Sequence, residues 1–567
     1  MISKYLLIFL ISFPFLLIAQ IKNETRAVWI AANYRLDWPP PTFNAKQQKD
    51  EFKKILNNIQ SKNLNTIYLQ VYFNGTALYK SRTEPMSYFI TGVMDDSLAY
   101  DPLKYAIEEC HSRGIEIHAW INTIQCFNGM ESFIKDHPKH IIKRHPEWVR
   151  EKFLDGRNTY WLDPGLPEVQ KFIINLSAEI MSNYDIDGLQ LDFLRYPSAD
   201  FNDTESYKLY AYGQSRDDWR RENLTKIVAG IRKKIDSMNK KIRFGITPIG
   251  IYKNISGARG LQGYTDVYQD TFDWLKKKLI DYAAPQVYWN FEDNPKFDVV
   301  AENWIKNSNG RNIILGIAAY RNDVFREIDK MISYARNINA AGVAFFRYSN
   351  IKDAEFKLFA DKVFPAKTEW IDNESPEEID KINLLVENDS SINIYWNSNS
   401  VFEKENDISG YLIFKLADES DKPSMKNLFH FVPAGKNQSE FVIKNPSRYS
   451  YFFTLKTIDR FWNMSLSQSN IVKAEIPALT NYQNRFSTSS NPILIKKDEN
   501  KFVISIYSLK DDNLILSINA QEISDSIKLE PGLNLIEKEY DLNKIKSLKI
   551  RCVNIDKEYL LKFKEAN

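Results

Sequence analysis

The 567-residue sequence contains only three cysteines, Cys110, Cys126 and Cys552. So few cysteines exclude a fold that depends on a framework of disulfides, although a single Cys110–Cys126 bridge stays open. The sequence also lacks an excess of charge of either sign, because 75 basic residues stand against 73 acidic ones. The chain therefore has no overall field that would recruit nucleic acid, and we expect no nucleic-acid partner.

Long apolar runs are absent everywhere except at the N-terminus. Lys4 precedes an apolar run over 5–19, and polar sequence begins at Gln20. This pattern is typical of a secretory signal peptide over 1–19, and an uncleaved anchor is disfavoured because the run is short for a membrane span. We expect an exported protein, periplasmic or extracellular, with no stable membrane insertion after the signal is cleaved.

Several catalytic signatures are missing as well. No glycine-rich phosphate loop follows a predicted strand, no serine elbow is present, and no histidine pair has the HExxH spacing. We therefore predict no metal and no other cofactor. Three histidines and two tryptophans fall in a long segment, 123–166, which we interpret as a solvated lid rather than a zinc site; they are His137, His140, His145, Trp148 and Trp161.

Aromatic residues are abundant, with 34 Phe, 30 Tyr and 12 Trp. From 26 to 365, short apolar runs typical of buried parallel strands alternate with amphipathic helices. The predicted strands are 26–32, 65–73, 116–122, 188–194, 243–250, 281–289, 312–320 and 342–348. Eight strand–helix units of this length predict an α/β fold, the (β/α)8 or TIM barrel, and not an open doubly wound sheet.

After about residue 365 the helical periodicity ends and short alternating strands take over. The segment 370–475 is predicted to be a β-sandwich, and the spacing of Trp396, Tyr411 and Tyr451 resembles a fibronectin type III module. The segment 480–567 is predicted to be another small β domain. Neither segment carries a catalytic constellation.

The reacting groups of a TIM barrel come from the C-terminal ends of its strands and the loops that follow. The residues predicted there combine aromatic rings with amides, arginines and a few carboxylates, a mixture that suits a polysaccharide. The candidates for substrate binding are Asp37, Trp38, Gln70, Tyr72, His118, Trp120, Asn122, Arg195, Tyr196, Gln286, Tyr288, Trp289 and Arg347.

Asp192 is the main catalytic candidate. It ends the fourth predicted strand, Gly-Leu-Gln-Leu-Asp, and its neighbours Leu191 and Phe193 are apolar. Partial desolvation would tune its pKa and strengthen its effect on a developing oxocarbenium ion. The alternative is that Asp192 only forms a salt bridge with Arg195.

The second carboxylate of a glycosidase lies about 5–10 Å from the first, a distance that no sequence provides. Asp37, Asp163, Asp270 and Glu292 all follow predicted strands. We take Asp270 and Glu292 as the candidates, although Asp163 is equally interpretable as a loop residue and Asp270 as a helix cap.

Several stretches together resemble the glycosyl-hydrolase-like family 10 of bacterial envelope proteins. They include RAVWIAANYRLDWP, SRGIEIHAWIN, YWLDPGLPEVQ, DGLQLDFLRYP and DYAAPQVYW, and they follow one another along nearly the whole predicted barrel. The resemblance implies a glycosidase that acts on bacterial envelope glycan, notably peptidoglycan strands without stem peptides. The fourth strand also resembles that of family 18 chitinases, but Leu194 stands where those enzymes have their catalytic Glu. Phe193 stands where the family often has a second Asp.

We therefore predict a monomeric, exported glycoside hydrolase of peptidoglycan glycan. The alternatives are a hydrolase of another exported or dietary polysaccharide, a glycan-binding barrel without activity, and a surface adhesion protein that works through its C-terminal sandwiches. A second carboxyl group facing Asp192 within about 10 Å would separate hydrolysis from binding alone.

Overall fold

The computed structural model describes residues 23–154, 156–238, 240–387, 391–442 and 450–475, together with short segments, mostly strands, between 493 and 561. The predicted signal peptide, 1–19, lies outside the described residues. Cys110 and Cys126 are free and buried, so the structure contains no Cys110–Cys126 bridge.

Eight parallel strands close into a barrel, as predicted. Each strand pairs with the next along the chain, and β1 pairs with both β2 and β8, which closes the sheet. The strands are β1 (Thr25–Ile30), β2 (Thr66–Phe73), β3 (Glu116–Asn122), β4 (Gly188–Asp192), β5 (Arg243–Ile246), β6 (Tyr282–Ala283), β7 (Asn312–Ile317) and β8 (Gly342–Phe345). Apart from Asn312, every residue of these strands is buried, because the helices cover the outer face and side chains fill the barrel.

Helices follow the strands and pack on the outside of the barrel. Their starts obey ordinary capping rules: the Asn44 side chain accepts a hydrogen bond from the Gln47 N–H, and the Asp101 side chain accepts one from the Lys104 N–H. The helices are α1 (Ala45–Ser61), α2 (Pro102–His111), α3 (Pro167–Asn183), α4 (Arg216–Ser237), α5 (Thr271–Lys276), α6 (Phe297–Lys306), α7 (Ile328–Asn337) and α8 (Tyr348–Ile351). In the part of the chain that is described, no helix has both the length and the apolar character of a membrane span.

The segment 123–166 is not the solvated lid that we expected. It folds into a small antiparallel sheet of Gln125–Phe127, Val149–Leu154 and Arg157–Leu162, with two short helices, Ser132–Lys135 and Ile141–Arg144. Its core includes Trp161 and His140, whose Nε2 lies 2.9 Å from the Asn74 carbonyl oxygen. Because apolar residues anchor it, this subdomain is a fixed wall above the C-terminal end of β3.

The C-terminal region is built from antiparallel sheets. Seven strands form two of them, one with the order Ile382–Glu387, Ser391–Trp396, Gln438–Val442 and the other with the order Leu428–Pro433, Ile408–Leu416, Ser450–Asp459, Val472–Glu475. The last segment holds a three-stranded sheet, Ile493–Asp498, Lys501–Ser508 and Gly532–Glu539, and a five-stranded sheet, Gln521–Glu522, Asp512–Ile518, Leu548–Cys552, Lys557–Leu561 and Ile527–Leu529. The fibronectin type III assignment and the domain boundaries stay predictions.

The seven-stranded region packs against the N-terminal end of the barrel. Its residues 460–462 make the contact: the Trp462 indole donates a 2.6 Å hydrogen bond to Glu116, and the Arg243 guanidinium lies 4.3 Å from the centre of the Phe461 ring. Glu116 and Arg243 begin β3 and β5 and are 2.8 Å apart. Because this end of the barrel is covered, only the opposite end is left open for chemistry.

Candidate active site

A cleft of about 270 Å³ opens at the C-terminal end of the barrel. Its lining residues come from the ends of most barrel strands and from the subdomain in 123–166. They are Trp29, Ala31, Asn33, Leu36, Gln70, Trp120, Asn122, Gln125, Asn128, Asp192, Phe193, Thr247, Gln286, Tyr288 and Phe346. A larger groove, of about 540 Å³, lies between the barrel and the seven-stranded region, but it is at the face where TIM barrels carry no catalytic groups.

Asp192 lies in this cleft and is only 8% exposed. Its Oδ2 accepts a 3.1 Å hydrogen bond from the Trp120 indole, and its Oδ1 accepts a 2.7 Å bond from the Phe193 N–H. No ion pair joins Asp192 to Arg195 or to any other cation of the described residues. The alternative that Asp192 serves only as a salt-bridge partner is therefore wrong for this structure.

Burial sets the protonation of Asp192. Loss of solvent raises the pKa of this carboxyl to about 6, although the Phe193 N–H, the charge of Arg195 and the Trp120 indole each lower it. The group therefore exchanges its proton near neutral pH, the range in which a carboxyl serves as a general acid or base. Phe193 keeps its N–H on Asp192 by adopting left-handed backbone geometry (φ +52°), which costs about 1 kcal/mol or more for a residue with a side chain.

Five aromatic side chains form the walls of the cleft: Trp29, Trp120, Phe193, Tyr288 and Phe346. The Phe346 ring joins them, with its centre 6.0 Å from those of Trp29 and Tyr288 and 6.3 Å from that of Trp120. Tyr320, 53% exposed, stands 6.2 Å from Phe346 and extends the aromatic surface towards solvent. Flat apolar faces of this kind suit the C–H faces of sugar rings.

Amide and hydroxyl groups supply the polar part of the cleft. The Gln70 side-chain oxygen accepts hydrogen bonds from the N–H groups of Ala32 and Asn33, which fixes the turn after β1. Asn74 links the walls, since it donates to the Asn33 side chain and accepts from the Asn128 N–H. The Thr247 hydroxyl oxygen is buried and has no hydrogen-bond partner in the described chain, so it is available to a bound hydroxyl group.

Six predicted site residues meet in the cleft, namely Gln70, Trp120, Asn122, Asp192, Gln286 and Tyr288. Burial, and then the charge of Asp192, raises the pKa of the Tyr288 hydroxyl well above its ordinary value, so this group stays a hydrogen-bond donor. The Asn122 side-chain oxygen lies 3.4 Å from the Gln70 amide nitrogen. The prediction that the strand ends converge is confirmed for these residues.

Five other predicted substrate-binding residues have buried side chains that do not line the cleft, which corrects our expectation for them; they are Asp37, Trp38, Tyr72, His118 and Tyr196. Trp38 donates to the Gln48 carbonyl, and the Tyr72 hydroxyl donates to Glu84. His118 lies inside the barrel against the Tyr282 hydroxyl, 2.7 Å away. His118 shares a strand face with Trp120 and Asn122 but lies deeper in the barrel. A register shift between Gln70 and Tyr72 puts Tyr72 opposite Ile121 and off the face of Gln70.

Asp37 is held by three bonds and has no exposed side-chain surface. It accepts from the N–H groups of Ala31 and Ser349 and forms a 2.7 Å ion pair with Arg347. Asp37 and Arg347 thus tie the turn after β1 to the end of β8. Both act on the shape of the opening and not on a sugar directly.

Neither candidate for a second carboxylate lines the cleft. Asp270 accepts a 2.6 Å hydrogen bond from the Tyr252 hydroxyl, and Glu292 is exposed on the turn after β6. Trp289 packs against the barrel core beside Gly250. Asp192 is therefore the only acid among the lining residues that the structure describes.

Sequence reasoning missed several lining residues, notably Trp29, Gln125, Asn128, Phe193 and Phe346. Trp29 is the last residue but one of β1, and its indole donates a 2.7 Å hydrogen bond to the Gln190 side chain. Gln125 and Asn128 belong to the subdomain whose fold the sequence did not reveal. The run Gly-Val-Ala-Phe-Phe346 at the end of β8 is the one available signal, since an aromatic residue just past a barrel strand falls at the opening.

The described residues contain no group of three or more His, Cys, Asp or Glu side chains arranged to hold a metal ion. The five histidines of the barrel region are dispersed: His111 pairs with Asp187, His118 with Tyr282, and His140 with a backbone carbonyl. The chemistry that the cleft offers is therefore that of one carboxyl among aromatic and amide groups.

Comparison with known proteins identifies a family and two groups of relatives. The sequence model of the family described as glycosyl hydrolase-like 10 matches residues 24–333. The glycosyl hydrolase YngK of Bacillus subtilis (strain 168) is 29% identical over 502 residues, which are 82% of this chain and 96% of that protein. The glycosyl hydrolase DigH of Escherichia coli (strain K12) is 33% identical over 332 residues, 53% of this chain and 74% of that protein.

Among solved structures, the chain is similar to the PgaB (BpsB) glycoside hydrolase domain from Bordetella bronchiseptica, with a TM-score of 0.44 and 11% identity. The match covers 59% of this chain and 99% of that one. The catalytic domain of the β-amylase from Paenibacillus polymyxa matches with a TM-score of 0.39 and 14% identity, over 59% and 96% of the two chains. These likenesses are too weak to bear on the site.

Proposed function

The chain belongs to the glycosyl hydrolase-like 10 family, and from that membership we propose that it is an exported glycoside hydrolase that cleaves bacterial envelope glycan, with peptide-free peptidoglycan strands as its substrate. The observation that carries the proposal is Asp192, a carboxyl with a pKa of about 6 that faces a cleft walled by aromatic rings. The relatives named glycosyl hydrolase support the reaction class.

In the proposed reaction Asp192 is the general acid. Its protonated form donates a proton to the glycosidic oxygen as the bond from that oxygen to the anomeric carbon breaks. The Trp120 indole and the Phe193 N–H then stabilise the carboxylate that is left, since both donate to its oxygens. Thr247 and Gln286, which also line the cleft, are placed to hydrogen-bond sugar hydroxyls.

The second group is proposed to come from the substrate. Asp192 is the only acid among the described lining residues, so no protein carboxylate in the cleft is placed to attack the anomeric carbon. An N-acetylhexosamine carries its own nucleophile: the acetamido oxygen attacks the anomeric carbon and forms an oxazolinium ring, which water then opens while Asp192 takes the proton back. The missing second acid thus favours a polymer of N-acetylated sugars.

The experiment compares wild type with Asp192→Asn on purified peptide-free peptidoglycan strands, with products sized by mass spectrometry. We expect short oligosaccharides from wild type and none from the variant, because an amide donates no proton to the leaving oxygen. Circular dichroism checks that both proteins are folded. No products from wild type on these strands would reject the proposed substrate.

Glu292→Gln and Asp270→Asn serve as matched variants, since each removes one carboxylate outside the cleft. We expect both to retain cleavage within about twofold, because neither side chain reaches the bound sugar. A loss as large as that of Asp192→Asn in either variant would contradict the single-carboxylate reaction and identify the missing partner.

A second candidate function is glycan binding without cleavage, which the single carboxylate in the cleft favours. It predicts that wild type binds peptide-free strands in calorimetry but leaves their length unchanged over a day. Product formation that depends on Asp192 would reject it.

A further inference from the structure

We propose that Arg195 binds a carboxylate on the sugar that lies beside Asp192. It would thereby select glycan strands whose muramic acid has a free lactyl carboxylate. This inference rests on the proposed function, because it names the part of the peptidoglycan strand that the cleft recognises. Three features of the described residues carry it: the position of Arg195, its lack of a partner, and the absence of other cations from the cleft.

Arg195 lies beside the cleft, three residues after the catalytic candidate. Its backbone N–H donates a 2.9 Å bond to the Phe193 carbonyl, which holds the turn after β4. Its guanidinium lies 5.3 Å from the centre of the Phe193 ring, which lines the cleft, and 5.6 Å from that of Trp161. The cation is therefore supported by two aromatic faces in a position next to Asp192.

Arg195 has no acceptor for its side chain. Among the described residues its guanidinium makes no hydrogen bond and no ion pair, and it carries only the two ring contacts and the field of Asp192. Other arginines around this end of the barrel are paired: Arg347 with Asp37, Arg321 with Asp293, and Arg150 with Asp163. A partly exposed guanidinium whose donors the described protein does not use can bind a carboxylate ligand without first breaking an ion pair.

Arg195 and Asp192 affect each other's pKa but do not form an ion pair. Burial lowers the pKa of Arg195, and the charge of Asp192 raises it in part, so the two groups lie close enough to sense each other. No N–O distance between them falls within ion-pair range. Apart from Asp192, the described residues that line the cleft are neutral, so Arg195 adds a positive charge beside a lining that has no cation of its own.

The lactyl group of muramic acid is the proposed ligand of Arg195. When the stem peptide has been removed, the group ends in a carboxylate, whereas a strand with its peptides has a neutral amide at the same atom. A guanidinium binds a carboxylate through two parallel hydrogen bonds and binds an amide much less well. Chitin-like polymers have no such group, so the same contact would also separate peptidoglycan from chitin.

The test uses two matched substrates: peptide-free strands, and the same strands after conversion of their lactyl carboxylates to methylamides. We expect wild type to have a kcat/KM about 10–100-fold higher on the carboxylate form, in line with a charge-assisted bidentate contact. At a pH well below 6, where Asp192 is protonated in both proteins, Arg195→Gln should lose that factor on the carboxylate form and keep the wild-type rate on the amide form. Arg195→Lys should restore part of the preference, because it keeps the charge but not the fork.

Arg326→Gln is the control, since Arg326 is exposed on the short helix Asn322–Arg326. It should match wild type on both substrates. An equal loss on both substrates in Arg195→Gln, or a wild type without preference, would overturn the inference.

If wild type cleaves neither substrate, the proposed reaction fails and the inference is decided by binding. Calorimetry with wild type and Arg195→Gln then compares the Kd for the two oligosaccharide forms. A preference for the carboxylate form that disappears with Arg195 supports the reading role, and equal or undetectable binding rejects it.

Discussion

The two ends of β4 hold two buried aspartates in opposite electrostatic states. Asp187, just before the strand, lies 3.0 Å from His111 and 3.6 Å from Arg460 and accepts a bond from the Ile117 N–H. Burial would raise its pKa, but these partners outweigh burial and hold the pKa well below its usual range. Asp192, at the other end, has no ion-pair partner, and burial raises its pKa to about 6.

The difference shows that the acid at one end of β4 stabilises the fold, whereas the acid at the other end is placed for chemistry. At the N-terminal end, cations from α2 and the seven-stranded region neutralise the acid, so its charge contributes to folding. At the C-terminal end only neutral donors, Trp120 and Phe193, reach the acid, so its proton remains available. In a TIM barrel the catalytic loops lie at the C-terminal ends of the strands, and contacts that stabilise the fold lie at the N-terminal ends. The positions of these two acids agree with that rule.

The largest contrast is expected in turnover. Asp192→Asn should lower kcat by about 10³-fold or more, because it removes the proton donor. Asp187→Asn should leave kcat within about twofold at a temperature where it is folded. Initial rates on peptide-free strands measure both, and a comparable loss in the two variants would erase the proposed division.

The second contrast is in stability. Asp187→Asn should lower the free energy of unfolding by about 3 kcal/mol at pH 7, since it leaves His111 and Arg460 without their buried anionic partner. Because the pKa of Asp187 is lowered in the folded state, its contribution is present above about pH 4 and is lost as the pH falls further. Denaturant titrations should therefore show the full difference in unfolding free energy between wild type and variant above about pH 4, and a difference that shrinks steadily as the pH falls further; a difference that stays constant down to about pH 2 would contradict this.

The pH dependence of catalysis gives a third way to sharpen the comparison. If protonated Asp192 is the acid, kcat/KM should fall about tenfold per pH unit above the group's pKa of about 6. Arg195→Gln should move this fall to higher pH, because the charge of Arg195 lowers the pKa of Asp192. Rates between pH 4.5 and 8 on a neutral substrate measure both effects, and a rate that rises through pH 6 would make Asp192 a base or nucleophile instead.

The smallest expected effect belongs to His111. Burial lowers its pKa, but Asp187 more than compensates, and the pKa is raised. The stabilisation from this pair is therefore complete below about pH 6.5 and is lost as the pH rises through the folded-state pKa, an effect of about 0.5–1 kcal/mol for a partly exposed pair. His111→Gln should flatten the stability profile between pH 6 and 8, and an unchanged slope would assign it to other groups.

The sequence predicted most of the fold because buried strands have a strong local signal. All eight barrel strands begin within one residue of their predicted start, although β6 is much shorter than predicted. Its predicted continuation to Trp289 makes isolated bridges at Gln286 instead. The hairpin of the subdomain in 123–166, Val149–Leu154 paired with Arg157–Leu162, was missed although Asp-Gly, a common hairpin signal, stands between the two strands in the sequence. Only the pairing of Gln125–Phe127 joins residues far apart along the chain, which periodicity does not report.

The site was less predictable for a geometric reason. Strand ends predicted that Gln70, Asn122 and Asp192 lie at the opening, where the structure has them, because a two-residue repeat places alternate side chains on one face. Their roles stay predictions. The same repeat does not say how high a side chain sits, so His118 and Tyr72 were predicted at the opening but lie below or behind it. Whether a carboxylate in a following loop turns back towards the strand is decided by that loop's own packing, as Asp270 and Glu292 illustrate.

The contact of residues 460–462 with the barrel changes how a truncation should be interpreted. A chain that ends near residue 365 would lose the Trp462 indole from Glu116 and the Arg460 cation from Asp187, and it would expose the Arg243 guanidinium at the barrel's base. We expect such a shortened protein to have a lower Tm than the full chain, whether or not the missing part contacts glycan. A loss of activity after removal of the C-terminal sheets would therefore reflect a less stable barrel. A role of the sheets in adhesion has to be tested by substitutions on their outer surface.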